Sequence, residues 1–143
     1  MREILFRGKR IDNGEWVEGY YVSKFYRTDK ELSDYITIPY PDEENRGSDH
    51  FIVIPETVGQ YTGLCDKNGK KIFEGDIVRI EISCNGEKVT EITRVGYDYK
   101  FCGFFPMRWE NSCDGCDCYF AIEEIEIIGN IHDNPELLKG GEG

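Results

Sequence analysis

The segment PETVGQYTGLCDKNGKKIFEGDIV, residues Pro55–Val78, decides the fold. It holds a proline-led turn, an Asn-Gly hairpin turn at Asn68-Gly69 and a Gly-Asp turn at Gly75-Asp76. Asn and Gly tolerate the positive φ that tight hairpin turns require, and Pro fixes the φ of a first turn residue. The segment therefore predicts short antiparallel strands, with its glycines serving as scaffold.

The sequence on both sides of this segment carries the same signals. Asn-Gly recurs at 13–14 and 85–86, and Val78 to Cys84 alternates apolar and polar residues with a period of two. Close turn spacing is typical of small closed sheets, which limit exposed strand edges. We predict an all-β fold with little helix, a small antiparallel β-barrel or rolled sheet.

The organisation along the chain suggests one domain, residues 1–143, with a soft subdivision. Residues 1–60 form a predicted N-terminal strand-rich arm, and residues 61–143 a C-terminal small barrel. Helix is expected only near the end, where Asn134 supplies an N-cap and Pro135 the first helical position. Glycines at 140 and 141 should end that short helix.

Composition and charge limit the classes of function. Hydrophobic residues make up 39% and charged residues 31% of the 143 residues, as in soluble globular proteins. No apolar run approaches the ~20 residues of a membrane span, and the start of the chain lacks the apolar core of a signal peptide. We expect a cytoplasmic protein without membrane contact. The net charge of −11 repels duplex DNA, so nucleic acid is a disfavoured partner.

Three blocks give the chain a family resemblance. REILFRGKRIDNGEWVEGY (2–20), the Pro55–Val78 segment and IEIIGNIHDNPELL (125–138) together resemble the YopX family of phage and prophage proteins. The resemblance spans essentially the whole chain. It implies a predominantly β fold, a gene carried by a bacteriophage or prophage, and expression inside a bacterium. It implies no activity, cofactor or catalytic residue, so none is transferred.

The cysteines are the one local pattern with chemistry. In a cytosolic protein the six should be reduced thiols rather than a disulfide framework. Cys113 and Cys116 form a Cys-x-x-Cys pair that could hold zinc, with Cys118 or Cys102 as a third ligand. Cys84 or His132 would be the fourth. A second Cys-x-x-Cys pair is missing, so a loop of reduced thiols is the preferred interpretation, with zinc and redox chemistry as alternatives and no cofactor predicted.

Catalysis has little support in the sequence. The two histidines, His50 and His132, accompany no Gly-x-Ser-x-Gly motif and no phosphate-binding glycine loop. We predict that His50 is a strand-edge residue and that His132 has a capping or packing role. No catalytic or cofactor-binding residue is predicted, and the sequence favours a protein that is not an enzyme.

Two surfaces remain as candidates for function. Tyr20, Tyr21, Tyr26, Tyr35 and Tyr40 make the N-terminal arm rich in tyrosine, which favours protein contacts. We therefore expect a phage accessory protein that binds a host or phage protein or forms a homo-oligomer. An alternative is an acidic decoy, carrying Glu123, Glu124 and Glu126, that occupies a DNA-binding surface. A second alternative is a zinc-binding module that uses Cys113, Cys116 and Cys118.

Overall fold

The computed structural model describes residues 2–26, 32–41, 44, 46–100, 102–106, 118–120 and 122–140. For 25–26, 118–120, 122 and 139–140 we use the backbone alone. Contacts between Cα atoms divide the chain into an N-terminal unit, Met1–Tyr61, and a C-terminal unit, Thr62–Gly143.

Antiparallel strands dominate both units, and this confirms the predicted all-β class. In chain order the strands are β1 Phe6–Lys9, β2 Trp16–Tyr26, β3 Leu32–Pro39, β4 Ser48–Ile52, β5 Gly59–Cys65, β6 Lys71–Phe73, β7 Asp76–Cys84, β8 Glu87–Arg94, β9 Gly96–Asp98, β10 Gly103–Phe105, β11 Cys118–Phe120 and β12 Glu126–Asn130. The helix is α1, Glu136–Gly140, and single 3-10 turns cover Pro55–Thr57 and Ile122–Glu124.

The N-terminal unit is a sheet in the order β4-β3-β2-β1-β5. Along each strand, successive side chains lie on opposite faces of the sheet. One face buries Ile36 and Val53. On that face Gly19 lies so close to β3 that an added Cβ would stand 2.5 Å from the carbonyl oxygen of Thr37. The opposite face, called the outer face below, is more exposed.

The C-terminal unit is organised around β7. Strand β8 pairs with β7 along one side, from Ile77↔Arg94 to Cys84↔Glu87. On the other side of β7, β12 pairs with the start of the strand and β11 pairs with its end. β6 lies beside β5, and β9 and β10 form a separate two-stranded sheet. The buried apolar cluster of this unit is Ile72, Val78, Ile80, Ile82, Val95 and Ile125.

The predicted closure of the sheets into a barrel is wrong for the part of the chain that is described. Each sheet is an open row of strands with two ends. After Val95 the chain leaves β7 and β8 and pairs with itself as β9 and β10. Those strands are thus not available to close a barrel, which needs a continuous circuit of pairing.

The predicted turns and the final helix are present. The Asn-Gly pairs at 13–14, 68–69 and 85–86 connect β1 to β2, β5 to β6 and β7 to β8. Gly14, Gly69 and Gly86 have φ of 72°, 81° and 85°. Asn85 also has a positive φ, 51°, as both central residues of a type I′ hairpin turn require. Helix α1 begins just after Asn134-Pro135, as predicted.

Candidate binding surfaces

Asp66, in the Pro55–Val78 segment, is a structural carboxylate. It is buried, and its Oδ1 accepts hydrogen bonds from the N–H groups of Asn68 and Lys70, both at 2.9 Å. Its Oδ2 accepts the N–H of Ile127 at 3.1 Å. Burial raises the pKa of Asp66, but the hydrogen bonds from Ile127, Lys70 and Asn68 and the charge of Lys70 outweigh it, so the pKa is lowered. The carboxylate thus joins the Asn-Gly turn to β12.

The Gly75-Asp76 turn is also held internally. Asp76 is buried and its Oδ2 accepts the N–H of Phe73 at 2.8 Å. Gly75, with φ of 88°, donates its N–H to the carbonyl of Val95 at 2.8 Å. The polar groups of this turn therefore position β7 rather than face a ligand.

Of the proposed zinc ligands in the described part of the chain, Cys84 and Cys118 lie on paired strands, opposite each other in the backbone register. Cys113 and Cys116 lie outside the described residues, and Cys118 is described by its backbone. Cys102 is an exposed thiol with a φ of 52°. Among the described residues no group of three or more His, Cys, Asp or Glu could hold a metal ion. The zinc hypothesis stays a prediction, to be tested by metal analysis of the purified protein.

Cys84 departs from the expectation of six reduced thiols, because it takes part in a disulfide. On the neighbouring strand the backbone of Cys118 lies directly opposite Cys84 in the β7–β11 register. Sequence spacing alone does not show that Cys84 is oxidised.

We expect Cys84 to resist alkylation until the protein is reduced. Unfolded, unreduced protein treated with iodoacetamide should carry the label on Cys65 and Cys102, which are exposed thiols. The peptide with Cys84 should gain the label only after dithiothreitol treatment. Peptide mass spectrometry measures this directly, and labelling of Cys84 before reduction would contradict the disulfide.

The two histidines lie in polar surroundings on different units. His50 is exposed on β4, with Nδ1 3.0 Å from Thr37 Oγ1 and Nε2 3.4 Å from Ser48 Oγ. The backbone N–H of His132 donates to Asn130 Oδ1 at 3.0 Å, in the turn that leads to α1. His50 thus lies on β4, an end strand of its sheet, and His132 contacts the turn before α1 through its backbone.

The acidic residues proposed for a decoy differ from one another. Glu123 and Glu124 are exposed on the 3-10 turn. Glu126 instead forms ion pairs with Lys67 at 3.0 Å and Arg79 at 3.4 Å. The hydrogen bond and charge of Lys67, with a smaller effect from Arg79, lower the pKa of Glu126. Two cations therefore offset one of the three predicted carboxylates.

The outer face of the N-terminal sheet presents aromatic and aliphatic side chains with two cations. The Arg7 guanidinium carbon lies 4.7 Å from the Trp16 ring centroid and Lys9 Nζ 5.9 Å from it. Tyr20 follows on the same face with 57% of its surface exposed. Register places one apolar row beside it, since Val22 pairs with Tyr35 and Tyr35 with Ile52, while Tyr20 itself pairs with Thr37.

A second surface, called the aromatic cleft here, lies in the C-terminal unit. It has a volume of about 560 Å³ and is lined by Thr93, Arg94, Gly96, Tyr97, Asp98, Tyr99, Lys100 and Phe105. The β9–β10 hairpin builds it. Sequence reasoning missed the cleft, although the run YDYK at 97–100 places tyrosines and a lysine together and could have indicated it.

The comparisons with known proteins agree with this fold. No helix in the described residues is long and apolar enough to cross a membrane. None of the curated proteins matches the chain. The crystal structure of protein EF1440 from Enterococcus faecalis is similar, with 25% identity and a TM-score of 0.50, over 96% of this chain and 99% of that one. The family model described as YopX protein matches residues 5–139, and the chain therefore belongs to the YopX family.

Proposed function

We propose that this protein is a non-enzymatic accessory protein of a bacteriophage or prophage that acts in the bacterial cytoplasm through protein–protein contacts. One observation carries the proposal: Tyr20 is 57% exposed on the same face of β2 as Trp16, whose ring centroid lies 4.7 Å from Arg7 and 5.9 Å from Lys9. Tyr, Trp and Arg are the residues most enriched at binding hot spots. Exposed side chains on a strand surface contribute little to the free energy of folding. We therefore assign these side chains a role in binding.

The outer face combines one apolar row with polar neighbours. Val22 is exposed, and Tyr35 and Ile52 are half-buried beside it, while Glu18, Thr37 and His50 share the face. A mixture of apolar and polar side chains is typical of protein interfaces, so it supports the proposal. We propose first that a second copy of the chain binds the outer face, which gives a homo-oligomer. The alternative binding partner is a host or phage protein.

Replacing Tyr20 with alanine should weaken this contact. Loss of a hot-spot side chain costs ~2 kcal/mol or more, which corresponds to a dissociation constant about 30-fold higher. Light scattering over a concentration series measures self-association, and pull-downs with purified bait compare partner capture. Tyr99→Ala is the matched control, because it removes an exposed tyrosine from the other unit. A wild-type protein that stays monomeric, with no capture that depends on Tyr20, would refute the proposal.

The acidic decoy is the second candidate, favoured by the exposure of Glu123 and Glu124. A carboxylate row can compete with phosphates for a basic protein surface. Replacing both residues by glutamine should lower the binding of a DNA-binding partner while Tyr20→Ala does not. If every interaction survives the double replacement, the decoy hypothesis is excluded.

A further inference from the structure

The β9–β10 hairpin gathers aromatic rings at the surface of the C-terminal unit. The Tyr97 ring lies 5.1 Å from that of Tyr99 and 5.4 Å from that of Phe104, in edge-to-face arrangements of 77° and 76°. Packing of this kind fixes Tyr97 between its neighbours. Tyr99 keeps 85% of its surface exposed. Its ring faces therefore remain accessible to a planar ligand.

Two cations stand in the same cleft. Arg94 ends β8 and Lys100 follows β9, and both are exposed. Asp98 is the one carboxylate among the lining residues, and its Oδ1 accepts the N–H of Lys100 at 3.1 Å. The lining thus carries a small positive balance on a chain whose net charge is −11. The charges of Arg94 and Lys100 therefore attract an anionic group to the cleft.

We propose that the aromatic cleft binds a nucleobase that carries a phosphate group. The base stacks on Tyr99, and Arg94 and Lys100 bind the phosphate. Stacking on aromatic rings beside cations is how proteins hold unpaired bases, since every base has a π face. The volume, about 560 Å³, lies within the range of small-ligand sites. A purely apolar ligand would form no favourable contact with the charges of Arg94 and Lys100.

The same chemistry excludes double helices as ligands. In a duplex the base faces are stacked on each other, and the net charge of the chain repels a long row of phosphates. The source of the base is thus a free nucleotide or an unpaired single strand. The proposal keeps the expectation that nucleic acid is a disfavoured partner in the case of duplex DNA and departs from it for unpaired bases, and it is independent of the outer face of the N-terminal unit.

Calorimetry with three ligands tests the proposal: deoxyadenosine monophosphate, a single-stranded oligodeoxyadenosine of about ten nucleotides, and the duplex of that strand with its complement. We expect the single strand to bind. If the mononucleotide binds equally well, the source is a free nucleotide; if only the strand binds, the site reads unpaired nucleic acid. For the single strand, one neutralised phosphate should give a logarithmic salt slope of about −0.7.

Three variants localise the binding to the cleft. Tyr99→Ala should weaken it about 5- to 150-fold, the range for loss of one base–aromatic stack. Arg94→Gln should weaken it and flatten the salt slope. Gly96→Leu should weaken it by adding a large side chain at a lining position, where an added Cβ meets no atom within 4 Å. Far-ultraviolet circular dichroism checks the fold of each variant.

Two matched controls keep the result interpretable. Ile11→Ala removes an exposed apolar side chain from the other unit, and Lys88→Gln removes an exposed cation from β8 outside the cleft. Both should bind like the wild type. The proposal is overturned if neither the mononucleotide nor the single strand binds, if the duplex binds as tightly as the single strand, or if folded Tyr99→Ala and Gly96→Leu bind like the controls.

Discussion

Replacing Asp66 with alanine is expected to lower the free energy of unfolding by about 3 kcal/mol or more, because backbone donors lose their acceptor. The carboxylate binds the N–H groups of Asn68, Lys70 and Ile127 and is itself only 6% exposed. A donor left unsatisfied in a buried site costs ~1–3 kcal/mol. Urea denaturation followed by circular dichroism measures the loss. The Asn-Gly turn and β12 should lose order together.

Two further variants show whether the hydrogen bonds are the cause. Asp66→Asn keeps an oxygen for Asn68 and Lys70 but offers an N–H group toward Ile127, so its loss should be smaller. Asp12→Ala removes an exposed carboxylate that pairs with Arg10 at 2.6 Å. Exposed ion pairs contribute little, so the unfolding midpoint should hardly move. If Asp66→Ala behaves like Asp12→Ala, the structural role assigned to Asp66 is wrong.

The contribution of Asp66 should also depend on pH in one direction. Its pKa is lower in the folded protein than the ordinary value of 3.8. A lowered pKa means that folding favours the ionised form, so the stabilisation is complete above the unfolded pKa and is lost as pH falls through the folded one. The stability difference between wild type and Asp66→Asn should be constant above about pH 5 and shrink below about pH 4. A difference that grows on acidification would contradict the lowered pKa.

Replacing Gly19 with alanine is the second large effect that we expect. A Cβ at this position would stand 2.5 Å from the carbonyl oxygen of Thr37 and 2.9 Å from Ile36 Cγ2. A carbonyl oxygen of a paired strand cannot turn aside, so β2 and β3 must separate. Overpacking in a filled core costs ~1–3 kcal/mol, and the backbone contact places this variant at the upper end.

Gly96→Ala is the matched control, because the added methyl group meets no atom within 4 Å and the position lacks a positive φ. It should be neutral, or more stable by ~0.4–1 kcal/mol through reduced freedom of the unfolded chain. Urea denaturation compares the two alanine variants. Equal midpoints would show that the close approach of Gly19 to β3 is not present in solution.

Patterns among neighbouring residues predict most of the strands and turns. They do not predict which distant strands pair with each other. The Asn85-Gly86 turn and the alternation that precedes it are properties of a few adjacent residues, so the sequence contains them directly. The sharing of one side of β7 by β11 and β12 depends on register between distant segments. No local pattern encodes that register, which is why a closed barrel was predicted and open sheets were found.

The candidate surfaces divide in the same way. The tyrosine-rich arm was visible because its residues are close in sequence, and Tyr20 lies exposed on it. The aromatic cleft was not, because Phe105 comes to line it with Tyr97 and Tyr99 only through the β9–β10 pairing. The disulfide of Cys84 does not follow from sequence spacing either.

The shared side of β7 has a consequence for synthesis on the ribosome. Arg79 meets Glu126, 47 positions later in the chain. At ~5–20 residues per second, β7 waits roughly 2–10 s for that partner. During this interval its unpaired N–H and C=O groups form an open strand edge that can pair with another chain. Neighbouring nascent chains on one messenger RNA are therefore most prone to aggregate during this interval, before β12 has left the ribosome.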